Sequence, residues 1–400
     1  MNRVFRMVMV LAVQAGLFGG ASVALSDAAS EDGLHMAMTY LSARPPASPT
    51  LSNLDPVPDD LGAAGAALGL EDNATTGRFL GHHYHLETVT VSPEEALDAA
   101  REALAVSPYL IVDAAPEVLL GIADLPQAQD ALIFNVGAAH SALRSAECRA
   151  NLLHTAPSYA MRADAVTQFL LFKRWSKTAL IAGPAPEDQA FAAALETSLT
   201  KFGLKPGARA EWGIEADMRR TAAQEVPLFT QKLGEHDVLL VADEANDFAR
   251  YIVYNTWLPR PVAGSVGLRP AAWGRVVEQW GAAQLQSRFS ERAGRDMQPR
   301  DYAAWAALRS LGEAMTRMNS AEIETVQSYI LSDNFELAGF KGRPLSYRGW
   351  NGQLRQPIPL LHDDAVVVNA PLEGFLHQSN ELDSLGVDEP ESTCRAFGGN

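Results

Sequence analysis

The chain has 400 residues, 47% apolar and 20% charged, which is enough to bury a substantial core and, by length, to form two or three domains. Its formal charge of −16 argues against a nucleic-acid partner, because phosphate binding draws on clustered Lys and Arg that release counterions. Arg3 and Arg6 precede an apolar run from Met7 to Phe18, broken only by Gln14, and small residues at Gly19, Gly20, Ala21 and Ser22 follow. This pattern predicts a secretory signal peptide over residues 1–28, with an apolar core too short to span a bilayer. No lipobox cysteine follows it, and no later stretch is apolar enough to insert stably in a membrane. Export places Cys148 and Cys394 in an oxidising compartment, where the even count predicts a disulfide tying the C-terminal tail to the body.

Beyond the signal, apolar runs alternate with helical patterns, as βα units around mostly parallel sheets do. LHMAMTYLSA (34–43) reads as a strand and the Pro-rich ARPPASP after it as a loop. A helix is predicted over 56–70, with Asp59 and Asp60 in its first turn, then a strand from HHYH to Val91. SPEEALDAAREALA (92–105) predicts a helix with Ser92 as N-cap and Pro93 at its first position. Strands at 109–114 and 131–138 flank a short helix at 116–125. A second set of units begins with a strand at NLLHTAP (151–157). Ser158 then caps a helix carrying Met161, Ala165, Phe169 and Phe172 on one face. A strand at 178–183, a helix from Glu187 to Phe202 stopped by Gly203, and a strand at 237–243 complete this set, with Pro227 obscuring the segment between. Helices at 271–288, 299–315 and 321–331 and short antiparallel strands over 335–368 finish the pattern.

Catalytic and cofactor signatures are missing: no G-x-S-x-G, Walker loop, G-x-G-x-x-G after a strand, H-E-x-x-H or C-x-x-C occurs. GAAGAALG (62–69) has the wrong glycine spacing for a nucleotide loop and lies in a predicted helix. The sequence therefore points to a non-enzyme without a bound cofactor. Open α/β sheets bind ligands beyond the carboxyl ends of their strands. The polar residues predicted there are Ser42, Arg44, Asp113, Asn135, Gly137 and His140, then Glu187, Asp243, Glu244, Asn246 and Asp247. Carboxylates at Asp243, Glu244 and Asp247 suit a hard cation or a ligand amine, and equally a helix N-terminus. YNTWLPRP (254–261), with Asn255, Thr256, Trp257 and Arg260, reads as a rigid crossing that lines a cleft, or as Trp257 packed on one lobe. His83, His85 and Glu87 share a strand face, but they lie at the strand's start, away from a carboxyl-end cleft.

NLLHTAPSYAMRADAVTQFLLFKRW, PRPVAGSVGL and WGAAQLQSRFSERAGR, in this order between βα segments, resemble a type I periplasmic binding protein of an ABC importer, in the branched-chain amino acid receptor superfamily. That superfamily's "RTxPS" strand end stands here as His154-Thr155-Ala156-Pro157-Ser158. FLGHHYHLETVTV, CRANLLHTAPS, EVPLFTQ, YNTWLPRPVAG, WNGQLRQPI and EGFLHQSNELDSLG resemble, more narrowly, the binding protein found with PQQ-dependent alcohol dehydrogenase systems. The resemblance implies a periplasmic receptor with two Rossmann-like lobes, three hinge crossings near 157, 262 and 332, and a central cleft. Lobe one would be 33–157 with 263–331, lobe two 158–262 with 332–370, and 371–400 a tail. It implies permease and ATPase partners and capture of a small-molecule or metal cargo by lobe closure. Asn135-Val136-Gly137-Ala138-Ala139 departs from the small hydroxyl residues with which amino-acid receptors grip their ligand. The resemblance instead points to a lanthanide or its chelate at Asp243, Glu244 and Asp247. PQQ, an alcohol-derived acid or an amino acid are the alternatives, an anion preferring Arg44 and Arg260. A periplasmic sensor or chaperone on the same fold is the other class of function.

Overall fold

The structure, a computed structural model, describes residues 33–45, 57–214 and 218–398. The predicted signal peptide and most of the Pro-rich loop lie outside the described residues. The α/β class read from the sequence is the class observed, with two parallel sheets. The first contains β1 (Leu34–Ala43), β2 (His82–Thr90), β3 (Tyr109–Ala114), β4 (Leu132–Asn135) and β5 (Leu152–His154) in the order β2-β1-β3-β4-β5. The second contains β6 (Thr178–Ala182), β7 (Ala208–Glu211), β8 (Val238–Ala242) and β9 (Val262–Gly264) in the order β7-β6-β8-β9.

NLLHTAP does not begin the second set. Its Leu152 pairs with Ile133, so β5 closes the first sheet, and the second starts at β6. Alternation along β1 explains why the first sheet is covered on both faces: Met36, Met38 and Tyr40 face one apolar cluster while Leu41 and Ala43 face another. The first cluster is completed by α1 (Ala63–Leu80), α7 (Ala282–Ala293), α8 (Pro299–Met318) and α9 (Ile323–Ile330); the second by α2 (Ala96–Val106) and α3 (Pro116–Ala123). Burying each Leu, Ile, Phe or Met side chain of these clusters contributes about 1.5–3 kcal/mol.

The glycines of GAAGAALG serve helix packing. A Cβ on Gly65 would stand 2.0 Å from the Asp301 carbonyl oxygen, and one on Gly69 2.8 Å from Leu308 Cβ, so α1 lies directly against α8. That packing extends α1 to Leu80, ten residues past the predicted end at Leu70, with Gly81 as a left-handed cap. Ser92 is not the N-cap of α2. It ties a preceding turn instead, its hydroxyl donating to Glu95 at 2.9 Å. The helix expected from 271 starts only at Ala282, because 269–270 form β10 (Arg269–Pro270), paired with β14 (Ile358–His362), and Gly281 in the left-handed region separates a short 3-10 turn from α7.

Around the second sheet, α4 (Tyr159–Lys173) and α5 (Pro186–Lys201) cover one face with Phe169, Phe191 and Leu195, and α6 (Met218–Gln231) covers the other, with Pro227 inside it. Phe172, expected on the buried face of α4, is 62% exposed because Phe169 already fills the core position. Ser158 does cap α4, accepting from the Met161 amide at 3.2 Å. Ser158→Ala is expected to lower stability by about 1 kcal/mol, read as a shift in the urea midpoint at constant slope. The short strands β11 (Leu337–Ala338), β12 (Pro344–Tyr347), β13 (Leu354–Arg355), β14 and β15 (Ala365–Ala370) pair antiparallel, as the turn-rich sequence predicts. Leu337, Leu345, Tyr347 and Leu354 pack into the first-sheet core, whereas Ile358 and Leu360 pack into the second. Among the described residues, no helix is long and apolar enough to cross a membrane.

Candidate functional site

Parallel pairing puts the carboxyl ends of β1, β3 and β4 side by side, and four of the residues read from the sequence meet there. Asp113, almost fully buried, forms an ion pair with Arg44 Nε at 3.2 Å, while the Nε hydrogen is donated to the Ser42 hydroxyl at 3.2 Å. Gly137 lies against the same carboxylate: a Cβ there would stand 2.3 Å from Asp113 Oδ1. Two contributors were not legible as site residues. Arg300, from the first turn of α8, approaches Asp113 Oδ1 at 3.3 Å, and Tyr40 donates from its hydroxyl toward Asp113 Oδ2 at 3.4 Å. Burial, with Asp113 adding to it, raises the Tyr40 pKa well above its ordinary value, so this phenol stays a donor.

Asn135 turns inward. Its Oδ1 accepts from the Gly137 and Ala138 amides at 3.2 and 2.9 Å, and its Nδ2 reaches the Ala138 carbonyl at 2.7 Å and His154 Nδ1 at 3.0 Å. Both ends of the amide are thus engaged in shaping the 136–139 loop. That loop leads to the second sheet, since the Tyr159 amide donates to the Ala139 carbonyl at 2.7 Å. His140 lies edge-on to Tyr159 at 5.3 Å, and burial lowers its pKa although Glu187 and Glu117 pull the other way. Among the described residues its buried Nδ1 has no hydrogen-bond partner.

On the second-sheet side, Glu244 receives both terminal nitrogens of Arg162, one of them at 2.8 Å, and the Ser265 hydroxyl at 2.8 Å. The Arg162 guanidinium also stacks 4.5 Å from the centre of the Phe191 ring. Burial opposes its charge, but Glu244 outweighs burial and raises the pKa overall.

The carboxylate cluster expected to hold a cation does not converge. Asp243 Oδ1 accepts from the Asp247 amide at 2.9 Å, and Oδ2 from the Phe248 and Ala249 amides at 2.8 and 2.7 Å, so it organises a turn. Glu244 is neutralised by Arg162, and Asp247 faces solvent. Among the described residues, no group of three or more His, Cys, Asp or Glu side chains is arranged to hold a metal ion, HHYH included. Of the three, Asp243 is the one that serves as a cap for backbone amides.

YNTWLPRP also falls elsewhere. The Leu239 amide donates to the Pro261 carbonyl at 2.9 Å, which sets this segment at the amino end of β8 and β9, opposite the strand ends just described. A parallel strand must be entered from that end. There Asn255 donates to the Tyr251 carbonyl at 2.9 Å, the Trp257 amide to Thr230 Oγ1 at 2.9 Å, and Arg260 faces Glu235 at 3.7 Å.

No protein-family model and no curated protein matches this sequence. The fold has counterparts among solved structures. A branched chain amino acid ABC transporter periplasmic ligand-binding protein from Burkholderia xenovorans LB400 superposes with a TM-score of 0.69 at 16% identity, over 90% of this chain and 100% of that one. The closed leucine-, isoleucine-, valine-, threonine-, and alanine-binding protein from Brucella ovis gives 0.65 at 14%, over 84% and 93%. An ABC transporter solute binding protein from R. palustris, in complex with benzoate, gives 0.64 at 11%, over 90% and 99%. The architecture of this chain is that of type I periplasmic binding proteins.

Proposed function

We propose that this chain is a non-enzymatic periplasmic receptor that captures a small ligand between the carboxyl ends of its two sheets and hands it to an ABC permease and its ATPase. The observation that supports this is the placement of two arginines, Arg44 and Arg300, around Asp113 on one sheet and of Arg162 with Glu244 and Ser265 on the other, joined through the Ala139 to Tyr159 contact. The binding proteins that share the fold support it. We take lobe one as 33–157 with 271–355 and lobe two as 158–264 with 356–372, in place of the expected 263–331 and 332–370, on the ground that Leu337, Leu345, Tyr347 and Leu354 pack with the first-sheet core. Ligand closure works as far as the ligand prefers the closed arrangement of the lobes.

For cargo, the guanidinium groups favour a molecule presenting carboxylate or other anionic oxygen. A bare lanthanide ion would have to displace Arg162 from Glu244, so a lanthanide, as the link to PQQ-dependent alcohol oxidation implies, would arrive as an anionic chelate.

Thermal-shift screening of the exported chain tests both points, using free lanthanide salts, their carboxylate chelates, PQQ, aromatic and aliphatic carboxylates and branched-chain amino acids. An anionic ligand at about 100 times its Kd stabilises the fold by about 2.7 kcal/mol. Arg162→Met and Arg44→Met are each expected to weaken that ligand tenfold or more by calorimetry. Stabilisation by free cations alone, unchanged in both variants, would overturn the anion reading. Ligand-dependent stimulation of the reconstituted permease's ATPase is the check on transport.

A further inference from the structure

After β15 the chain does not end as a loose tail. Leu372 and Leu385 sit in the core of the second sheet, and the Leu372 amide donates to Gln168 of α4 at 3.0 Å. Gly386 is held from both sides: its amide donates to Asp164 of α4 at 2.8 Å, and its carbonyl accepts from Lys201 of α5 at 2.7 Å. A Cβ on Gly386 would stand 2.7 Å from Met161 Cγ, which is how closely this backbone lies on α4. In the same run, Asp383 accepts from Arg348 at 2.9 Å and Arg355 at 2.8 Å, two residues of the hairpin where the chain passes between the two cores. A short turn follows, in which Asp388 caps the Glu389 amide at 2.8 Å. Cys394 is then bonded to Cys148, just ahead of β5, and Phe397 packs against Gly352 at the first-sheet core.

The tail is therefore anchored on the second lobe by buried contacts, on the passage by a buried ion pair, and on the first lobe by a covalent bond. We propose that residues 372–397 form a strap across the two lobes that restricts how far they move apart and so sets the receptor's resting opening. Each peptide step spans at most about 3.6 Å, so the eight steps from Gly386 to Cys394 cap their separation at about 29 Å, and the folded turn between them holds them closer than that. The disulfide's position makes the restraint covalent at one end and non-covalent at the other. The closure equilibrium of this chain then differs from that of a receptor whose lobes are joined by the chain crossings alone.

The strap gives meaning to the lobe closure proposed above, but its test needs no ligand. Dyes placed by non-cysteine chemistry at Asp98 on α2 and Glu235 beside β8, both exposed, report the interlobe distance by single-molecule energy transfer. The oxidised protein should give one narrow distribution. The folded protein reduced in place, and Cys394→Ser, should each give a distribution broadened or displaced by several ångströms, with far-ultraviolet dichroism unchanged. Distributions that coincide in all three forms, even with a lowered melting temperature, would overturn the strap and leave the disulfide a stabiliser only. A failed ligand screen with a broadened distribution would instead count against the receptor reading and leave the strap in place.

Discussion

Arg348→Met lowers the stability of the oxidised protein by about 3–5 kcal/mol, the usual cost of removing one partner from a buried ion pair. The side chain is 1% exposed. Its Nε donates to Asp383 at 2.9 Å, Nη2 to the Leu382 and Leu385 carbonyls at 3.2 and 2.5 Å, and Nη1 to the Val387 carbonyl at 3.3 Å. Methionine fills most of the volume and supplies none of the donors, so three carbonyls and one carboxylate lose partners in a place that water does not reach. Arg355 still pairs with Asp383, which keeps the loss below that of an isolated buried carboxylate. Urea denaturation at neutral pH measures it. A loss under about 1 kcal/mol would mean that the tail docks by its apolar residues alone. Asp383→Asn should also destabilise, because it leaves Arg348 and Arg355 without their shared counter-charge although the amide oxygen still accepts.

Acid is expected to weaken this fold from about pH 6.5 downward, with His154 contributing. The ring is fully buried, its Nδ1 beside the Asn135 amide nitrogen, which places the proton on Nε2. Among the described residues that Nε2 has no partner. Burial, and then the Arg144 guanidinium nearby, hold the His154 pKa well below the ordinary imidazole value. Between the folded pKa and about 6.5 the unfolded chain binds more protons than the native one, so stability rises with pH in that window and is lost as pH falls through it. The slope for one such group approaches about 1.4 kcal/mol per pH unit. His154→Gln keeps an acceptor and cannot be protonated. Below pH 6.5 its stability should fall less steeply than that of the unaltered protein, and parallel curves would show that folding leaves the His154 pKa unshifted. His140, also shifted down by burial, adds in the same direction.

Arg144 shows why part of the candidate site could not be read in advance. It is buried without a carboxylate partner among the described residues. Its guanidinium donates to Gln353 at 2.8 Å, to the Ala138 and His140 carbonyls at 2.8 and 3.0 Å, and to the Ala156 carbonyl at 2.8 Å, and burial lowers its pKa to about 9. It braces the loop after β4 against the passage to α4. No local pattern around SALR marks it, since its main partner lies some two hundred positions away.

The strands at 34–43, 109–114 and 178–182, the α4 cap at Ser158, the disulfide and the parallel α/β class followed from the sequence, because alternation, cap chemistry and cysteine parity are local or compositional signals. Ser42, Arg44, Asp113 and Gly137 were legible for a related reason: any polar residue just past an apolar strand lies at the same end of a parallel sheet. What each carboxylate does was decided only by the tertiary structure. Asp113 and Glu244 meet arginines, whereas Asp243 meets three backbone amides, and the same acidic side chain serves either end. Strand direction put YNTWLPRP at the amino ends of β8 and β9, and packing against α8 lengthened α1. The route of the tail from α4 and α5 to Cys148 was likewise decided by tertiary contacts, because a residue's position along the chain carries no record of which distant surface it will cover.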